Sequence, residues 1–394
     1  MKIKAMIRDN IAMNAHPKGI EQNIQQQIQE VSNTPLISPK KLNVLIIGGS
    51  SGYGLASRIA LAFNANAYTY NVSFEREARG RNTASAGYYN NLFFKKFADQ
   101  EGIESFDRNG DAFSHEMKND VIQDFKNNNK KIDLLIYSVA SGVRIDPDTQ
   151  EKYVSSLKPI GKPFTGFNVD IAKGTLSSAS IDPASDEEIE NTRKVMGGED
   201  YLLWVQALSD AQVFNEGAKT ITYTYIGSKI TYPIYKDGTI GHAKRDLERC
   251  NETIQNIMSK HKGEALISSS KTVVTKASVF IPTVALYGSC LFKVMKELKT
   301  HETITQHKLR LFTDMVYGSK RLLDDKGLLR LDAYELDEKT QDLVNGLMST
   351  VKTSSDLDNI DFEAFKHEFN AMSGFDIEGV DYDEDLDLTQ YESK

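Results

Sequence analysis

Residues 44–54 read Val-Leu-Ile-Ile-Gly-Gly-Ser-Ser-Gly-Tyr-Gly, and this stretch decides the fold. An apolar run stops at Gly48, and Gly52 and Gly54 follow before residues 55–63, whose apolar side chains fall on one side of a helix. A strand, a glycine turn and a helix in this order form the setting in which a dinucleotide pyrophosphate lies on a helix N-terminus. Glycine is required because the turn needs unusual backbone angles and the backbone must approach the phosphates closely. The stretch therefore predicts a dinucleotide-binding turn, with a plain tight turn as the alternative.

The glycine spacing and the next strand together predict a nicotinamide cofactor. The spacing is G-x-x-x-G-x-G, which resembles the short-chain dehydrogenase/reductase group. A second apolar strand at residues 67–72 is followed by Glu75, roughly 20 residues past the last glycine, where an acid binds the adenosine ribose hydroxyls. A carboxylate at that point repels a 2′-phosphate and favours NADH over NADPH, whereas Arg76 beside it favours a 2′-phosphate. The balance predicts NADH.

Composition and charge limit the class of protein. The 394 residues are enough for one large domain or two ordinary ones, and 40% hydrophobic residues is ordinary for a soluble protein. A net charge of −8 gives no electrostatic reason to bind nucleic acid or an anionic membrane. The N-terminus lacks the apolar core of a signal peptide, and no apolar run reaches the roughly 18 residues of a membrane span. The histidines and the two cysteines, Cys250 and Cys290, lack metal-ligand spacing, so we expect a cytoplasmic protein without a metal site.

The alternation of strands and helices predicts the architecture. It is typical of an α/β fold with a doubly wound parallel (Rossmann) sheet, like that of the short-chain dehydrogenases, with the ligand at the carboxyl ends of the strands. We interpret residues 1–394 as a single enlarged dinucleotide-binding domain. Residues 1–42 form an N-terminal extension, and residues 141–200 form an insertion that extends one end of the sheet. Residues 375–394 form an acidic tail that we expect to be solvated and partly disordered.

Local patterns place the individual elements. The predicted strands cover residues 44–47, 67–72, 103–106, 132–140 and 220–226, and a further apolar segment covers residues 270–275. The predicted helices cover residues 19–31, 55–63, 88–97, 239–258, 282–298 and 362–369. The strand at 132–140 is apolar enough to be buried on both faces of the sheet.

The sequence offers several tyrosine–lysine pairs for catalysis. Short-chain dehydrogenases pair a tyrosine with a lysine four residues further on, so that both side chains lie on one helix face. A glycine or a proline interrupts each pair that has this spacing here, namely Tyr225 with Lys229 and Tyr232 with Lys236. Tyr235 and Lys244 are instead separated by eight residues. They reach one site if the turn at residues 237–238 folds the chain back, with Tyr235 in a loop and Lys244 in the first turns of the next helix.

Taken in order, several motifs resemble one family. They are the glycine turn at 48–54, Phe74-Glu75, Asp111-Ala112, Val139-Ala140, and Tyr235 followed after eight residues by Lys244. Over nearly the whole chain the sequence resembles the NADH-dependent trans-2-enoyl reductase family, which comprises enoyl-CoA and enoyl-[acyl-carrier-protein] reductases. Val139 stands where we expect leucine, which is a conservative departure.

The resemblance implies a reaction and roles for individual residues. It implies reduction of a carbon–carbon double bond conjugated to a thioester, with NADH supplying the hydride while negative charge develops on the thioester oxygen. Tyr235 is then the donor at that oxygen and the proton source, and Tyr225 binds the same part of the substrate. Lys244 holds the nicotinamide ribose and, as a cation, lowers the pKa of the tyrosine. The implied cofactor contacts are Gly48, Gly49, Ser50, Ser51, Gly52, Tyr53, Phe74, Glu75, Asp111, Ala112, Val139, Ala140, Lys244, Val273, Val274 and Thr275.

The partners and two alternatives complete the hypothesis. We expect a monomer that acts on an enoyl thioester carried by acyl carrier protein or coenzyme A. One alternative is a ketoreductase of the short-chain group, which would need a tyrosine–lysine pair at x3 spacing inside a helix. Another is a protein that binds and senses NAD(H) without chemistry, which would more readily lack the pair of Tyr235 and Lys244. A further candidate acid is His242, and Ser138 is expected to be at most a backbone contact.

Overall fold

A central parallel sheet organises the molecule, which we describe from a computed structural model over residues 1–32, 34, 41–80 and 82–392. In the described part of the chain the strands are β1 (Ile7–Arg8), β2 (Ile11–Ala12), β3 (Asn43–Ile47), β4 (Tyr68–Ser73), β5 (Ser105–Asn109), β6 (Ile132–Tyr137), β7 (Val143–Ile145), β8 (Lys152–Val154), β9 (Phe164–Asp170), β10 (Thr175–Ile181), β11 (Phe214–Thr224), β12 (Glu264–Ser269) and β13 (Leu329–Arg330). The main sheet has the order β13-β12-β11-β6-β3-β4-β5, and all its neighbours pair in parallel. The chain order reverses beside β3, where a doubly wound sheet opens a crevice at the carboxyl ends of its strands.

Helices cover both faces of this sheet. They are α1 (Pro17–Ser32), α2 (Gly52–Ile59, continued by a π-helical turn over Ala60–Asn64), α3 (Ala86–Gln100), α4 (His115–Asn127), α5 (Asp186–Met196), α6 (Glu199–Asp210), α7 (Thr239–Ser259), α8 (Val284–Glu297), α9 (Ile304–Arg310), α10 (Ala333–Leu336), α11 (Glu338–Thr350) and α12 (Phe362–Ala371). No helix within the described ranges combines the length and the apolar character that crossing a membrane requires.

Alternate side chains of the central strands pack on opposite faces of the main sheet. In β3, the buried Val44 and Ile46 pack with α1, α2, α3 and α9, whereas the buried Leu45 and Ile47 pack with α4, α6 and α7. Successive side chains of a strand point to opposite faces, so a strand covered on both sides needs the continuous apolar run seen in the sequence. The predicted α/β fold with a doubly wound parallel sheet is confirmed.

A third apolar cluster, the α8 cluster, lies beside the sheet. Its centre is α8, which buries nearly every side chain, as the apolar pattern of residues 282–298 predicts. Side chains from β9, α11 and α12 complete it, and Tyr235 belongs to it as well. The cluster therefore joins the inserted segments to the edge of the sheet where the parallel strands end.

Several segments differ from the prediction at their ends, and β11 covers Phe214–Thr224 rather than 220–226. β5 covers Ser105–Asn109 rather than 103–106, and β6 ends at Tyr137 rather than at residue 140. β12 ends at Ser269, so residues 270–275 form a connecting segment beyond the sheet. Apolar character continues past the last residue that has a backbone partner on a neighbouring strand, and it therefore does not mark where a strand ends.

The insertion at residues 141–200 does not extend the sheet, contrary to the prediction. Its strands form two separate antiparallel hairpins, β7 with β8 and β9 with β10. Helix α5 follows and begins with a capping box in which Ser185 and Glu188 satisfy each other's backbone N–H groups. The insertion therefore adds its own small layers, because its strands find antiparallel partners within the insertion itself.

The C-terminal segment packs against the N-terminus. Within residues 375–392, Phe375, Leu386 and Leu388 are buried together with Ile3. The acidic side chains around the leucines are exposed, as expected, but the expectation of partial disorder is wrong for this described part. Acids that alternate with leucines leave one apolar side, and that side becomes buried.

Leu386→Ala tests this packing. We expect the free energy of unfolding to fall by about 2 kcal/mol, because a leucine that is 6% exposed loses its contacts and leaves a cavity. Chemical denaturation followed by circular dichroism measures the change. Leu343→Ala is the control, since Leu343 is 45% exposed on α11 and its truncation should cost less than about 0.5 kcal/mol. Coinciding unfolding curves for the two variants would contradict the packing.

Candidate active site

The glycine turn after β3 is closely packed against its own helix. Gly48 and Gly52 have φ values of 91° and 55°, which side chains other than glycine rarely adopt. A Cβ atom on Gly54 would lie 2.0 Å from the carbonyl oxygen of Gly48, so only glycine lets α2 start this close to the strand. The turn thus offers backbone N–H groups at a helix N-terminus, and a pyrophosphate fits such a cradle.

Buried polar side chains that the sequence analysis missed support the turn from below. The Gly49 N–H donates to Asn71 Oδ1 at 2.9 Å, and Asn71 Nδ2 donates to Asp107 at 2.9 Å. The Arg58 guanidinium donates to both oxygens of Asp107 at 2.7 and 3.0 Å and lies over the Phe94 ring. The available signal was a set of polar residues inside elements that are otherwise apolar.

Glu75 lies at the rim of the glycine turn, as the sequence predicts. Its carboxylate accepts hydrogen bonds from the hydroxyls of Ser50 at 2.6 Å and Ser85 at 2.5 Å. Ser85 precedes α3, and a Cβ on Gly87 would lie 1.9 Å from Glu75 Oε1, so the carboxylate occupies the start of this helix. A helix N-terminus stabilises negative charge. The neighbouring Phe74 is 79% exposed.

The segment after β5 is held by a buried ion pair that the sequence analysis did not find. Asp111 and Ala112 follow this strand, and the carbonyl of Ala112 accepts hydrogen bonds from Trp204 Nε1 at 3.0 Å and Lys118 Nζ at 3.2 Å. Lys118 also pairs with Asp200 at 2.8 Å, and both side chains are almost completely buried. A buried charge pair with further hydrogen bonds fixes the segment firmly, because either partner alone would be a buried unpaired charge.

The structure brings the other predicted cofactor segments to the same turn. The carbonyl of Ser138 lies 2.5 Å from the place of a Cβ on Gly48, so the segment with Val139 and Ala140 starts at the turn. Thr275 lies 3.5 Å from the place of a Cβ on Gly52, and the buried Val273 and Val274 precede it. The ends of β3, β6 and β12 therefore surround one cleft.

Tyr235 and Lys244 are connected by the turn that the spacing predicts. Tyr235 lies in a turn region before α7, and its carbonyl accepts hydrogen bonds from the N–H groups of Gly241 at 2.9 Å and Gly238 at 3.2 Å. Lys244 lies near the start of α7. A Cβ on Gly241 would lie 1.9 Å from the Lys236 carbonyl oxygen, so the chain can fold back here only with glycine.

Neither tyrosine–lysine pair with x3 spacing lies on a helix. Tyr225 directly follows β11, and the ammonium of Lys236 lies 4.1 Å from the Tyr232 ring in the turn region before α7. The paired helix face that a short-chain ketoreductase needs is therefore missing at these residues, as the sequence predicts.

Burial controls the pKa values of Tyr235 and Lys244. Burial lowers the pKa of Lys244 to about 8, and its ammonium donates to the Tyr223 carbonyl at 3.4 Å. Burial raises the pKa of Tyr235. The expected lowering of the tyrosine pKa by Lys244 is therefore not found here, because burial of Tyr235 shifts its pKa in the opposite direction. Tyr235 remains protonated at neutral pH and can act as a donor.

The tyrosine hydroxyls near the cleft differ in their partners. Three of them have protein partners: Tyr53 donates to the Lys271 carbonyl at 2.8 Å, Tyr223 pairs with Ser57 at 2.6 Å, and Tyr225 pairs with Thr272 at 2.7 Å. The Tyr235 ring lies edge-on to the Tyr225 ring at 5.0 Å between centroids. Among the described residues no group forms a hydrogen bond with the Tyr235 hydroxyl, which leaves its proton for a ligand.

Three family models match consecutive parts of the chain. The NAD(P)H binding domain of trans-2-enoyl-CoA reductase matches residues 2–80, and the trans-2-enoyl-CoA reductase catalytic region matches residues 82–317. A third model, described as the enoyl reductase FAD binding domain, matches residues 323–386. The first two contain every residue that the sequence analysis assigned to the site.

The residues matched by the third model do not fit a flavin. Residues 323–386 lie wholly within the described part and contain the two-residue strand β13 and the helices α10, α11 and α12, without a strand–glycine turn–helix unit. Phe362, Phe365 and Phe369 pack into the α8 cluster. We therefore assign no role to a flavin.

Full-length relatives carry two names. A trans-2-enoyl-CoA reductase [NADH] of Clostridium perfringens is 45% identical over 99% of this chain and 100% of its own length. An enoyl-[acyl-carrier-protein] reductase [NADH] of Idiomarina loihiensis is 45% identical over 98% of this chain and 99% of its own. The crystal structure of Clostridium acetobutulicum trans-2-enoyl-CoA reductase in complex with NADH has a TM-score of 0.96 at 41% identity and 99% coverage of both chains. The chain therefore belongs to the trans-2-enoyl-CoA reductase family.

Proposed function

We propose that this protein uses NADH to reduce the trans-2 double bond of enoyl thioesters to the saturated acyl thioester, the reduction that completes a fatty-acid elongation cycle. The observation that carries this proposal is the Tyr235 hydroxyl, which has no hydrogen-bond partner within the described residues and lies in an apolar cluster beside the glycine turn. A protonated phenol at that place can donate to an oxygen on which negative charge develops.

The cofactor is held by the turn and the strand ends around it. The turn at residues 48–53 and the start of α2 take the pyrophosphate, and Glu75 takes the adenosine ribose hydroxyls. The remaining contacts are those of Phe74, Asp111, Ala112, Val139, Ala140, Val273, Val274 and Thr275. Bound NADH supplies the hydride for the β-carbon.

Tyr235 and Lys244 divide the remaining work. Tyr235 donates its proton at the thioester oxygen, and its raised pKa keeps it protonated until the negative charge develops. The resulting enol becomes the saturated acyl thioester when it loses the oxygen-bound proton and the α-carbon gains one. Lys244 holds the nicotinamide ribose, and Tyr225 contacts the same part of the substrate as Tyr235. The closed turn between Tyr235 and α7 fixes the phenol relative to the lysine.

An apolar wall next to Tyr235 suits an acyl chain. The buried side chains that share its cluster include Phe164, Ile240, Val274, Val279 and Ile281. They exclude water from the reacting atoms, which strengthens every electrostatic interaction within the cleft.

We infer that the thioester carrier is acyl carrier protein or coenzyme A, because the relatives carry both names. We also infer a monomer, since the inserted hairpins and the C-terminal segment cover surfaces around the central domain. A cytoplasmic location fits the two free, buried cysteines, Cys250 and Cys290.

Tyr235→Phe tests the proton donor. We expect kcat with crotonyl-CoA to fall by about 100-fold, because general-acid assistance is lost, while the Kd of NADH stays within about twofold. NADH oxidation followed by absorbance measures the first quantity, and fluorescence titration measures the second. Tyr232→Phe is the matched control and should retain full turnover. Full turnover in Tyr235→Phe would assign the proton donor to another residue. If the wild-type protein binds NADH but none of the enoyl thioesters tested leads to its oxidation, the sensing alternative is favoured.

Glu75→Ala tests the ribose contact. We expect the preference for NADH over NADPH in kcat/KM to fall by about tenfold, since the carboxylate that repels a 2′-phosphate is removed. Glu77→Ala, an exposed acid two residues on, is the control and should leave the preference unchanged. An unchanged preference in both variants would refute the assignment.

The pH dependence of NADH binding tests Lys244. Because burial lowers the pKa of Lys244 to about 8, the side chain is charged below this pH and loses its charge as the pH rises through it. We expect the Kd of NADH to be constant below pH 8 and to rise above it. In Lys244→Arg the rise should disappear, since a guanidinium stays charged. A rise that persists in Lys244→Arg would assign the titration to another group.

A further inference from the structure

Glu335 on α10 is a fully buried carboxylate beside the tyrosines of the cleft. Among the described residues it forms no ion pair, and it accepts four hydrogen bonds instead. Thr272 donates its N–H at 2.5 Å and its O–H at 2.9 Å, and Tyr287 and Tyr225 lie at 2.8 and 3.4 Å. Burial raises the pKa of Glu335, whereas the hydrogen bonds from Thr272 and Tyr287 and the nearby Lys271 cation favour the ionised form. The Lys271 ammonium itself donates to the Thr272 carbonyl.

The hydrogens of this network can be assigned one by one. A hydroxyl has one proton to donate. Gln341 Nε2 donates to the Tyr287 oxygen at 3.0 Å, so the Tyr287 proton points to Glu335. Every partner of the carboxylate is therefore a hydrogen-bond donor. Only the ionised carboxylate, which carries no proton of its own, accepts hydrogen bonds from all of them.

The same accounting fixes the proton of Tyr225. The Thr272 hydroxyl gives its one proton to Glu335, so in the 2.7 Å contact between Tyr225 and Thr272 only Tyr225 can donate. The longer contact from Tyr225 to Glu335 directs the proton to the same side. The Tyr225 hydroxyl therefore offers lone pairs, but no proton, to a ligand.

We propose that Glu335 is a positioning residue that directs the Tyr225 O–H inward through Thr272, so that the Tyr225 proton points away from the substrate and Tyr235 is the only phenol that donates to the thioester oxygen. This inference rests on the proposed function. Two phenols that compete for one oxygen would hold the thioester in two ways, and only the one bound to Tyr235 lies next to the proton source. Catalysis requires a single oriented geometry.

An amide in place of the carboxylate would reverse this arrangement. In Glu335→Gln the carbonyl can still accept the Thr272 N–H, so the cofactor segment that follows Thr272 keeps its support. The NH₂ group must donate to the hydroxyls, which turns the Thr272 proton towards Tyr225 and the Tyr225 proton towards the cleft. We expect kcat/KM for the enoyl thioester to fall by about tenfold, with the KM of NADH within about twofold of wild type.

A double-mutant cycle with Tyr225→Phe tests the coupling. We expect Glu335→Gln to lower kcat/KM for crotonyl-CoA by about tenfold in the wild-type background, but by less than about twofold in Tyr225→Phe, where no hydroxyl remains to be misdirected. Equal losses in both backgrounds would make Glu335 a structural residue and overturn the proposal, as would the absence of any loss.

Two residues around the carboxylate provide controls that keep its charge. Thr272→Val removes the relaying hydroxyl and should lower kcat/KM by at least about threefold, whereas Thr272→Ser should restore it. Tyr287→Phe removes a donor to Glu335 Oε1 that forms no hydrogen bond with the Tyr225 hydroxyl among the described residues, and it should lower the Tm without changing kcat/KM. If Glu335→Gln does not fold, the Thr272 variants test the proposal instead. Equal losses of kcat/KM in Thr272→Val and Thr272→Ser would overturn it. If the wild-type protein fails to oxidise NADH with every enoyl thioester tested, the proposed function itself is refuted. That outcome is separate from the loss of coupling between Glu335 and Tyr225.

Discussion

The contact between the start of α2 and the end of β3 is the constraint on which the rest of the site depends. A Cβ on Gly54 would lie 2.0 Å from the Gly48 oxygen, so this contact exists only without a side chain. The hydrogen bond from Gly49 to Asn71 and the ion pair of Asp107 with Arg58 then hold the turn from below. The ends of β6 and β12 approach the same turn, so the segments that follow these two strands line the cleft beside it.

The central sheet was predictable from the sequence because burial on both faces requires an uninterrupted run of apolar residues. Strands such as β3 and β6 must be apolar at every position, and the glycine turn must have its spacing. The strand ends were less predictable, since Val139 and Val273 are as apolar as the strands before them although they lie beyond the last paired residue. The inserted hairpins were missed for a related reason. The local sequence pattern of a strand does not indicate with which other strand it will pair.

The buried polar groups show where prediction from the sequence stops. Lys118 and Asp200 are 82 residues apart, and Thr272 and Glu335 are 63 residues apart, so no local pattern connects them. The predicted positions of Tyr235 and Lys244 depended on a turn and on a family resemblance. The distinction between the free hydroxyl of Tyr235 and the engaged hydroxyl of Tyr225 needed coordinates, because both residues are tyrosines in similar sequence surroundings.

The packing of Ile3 with Leu386 and Leu388 has a consequence for synthesis on the ribosome. The first apolar residues of the chain find their partners only after nearly the whole chain has been made. Contacts this distant in sequence pay the largest loop-closure entropy and form late. Ile3 must therefore remain without its apolar partners until residues 375–388 have been synthesised and have left the exit tunnel.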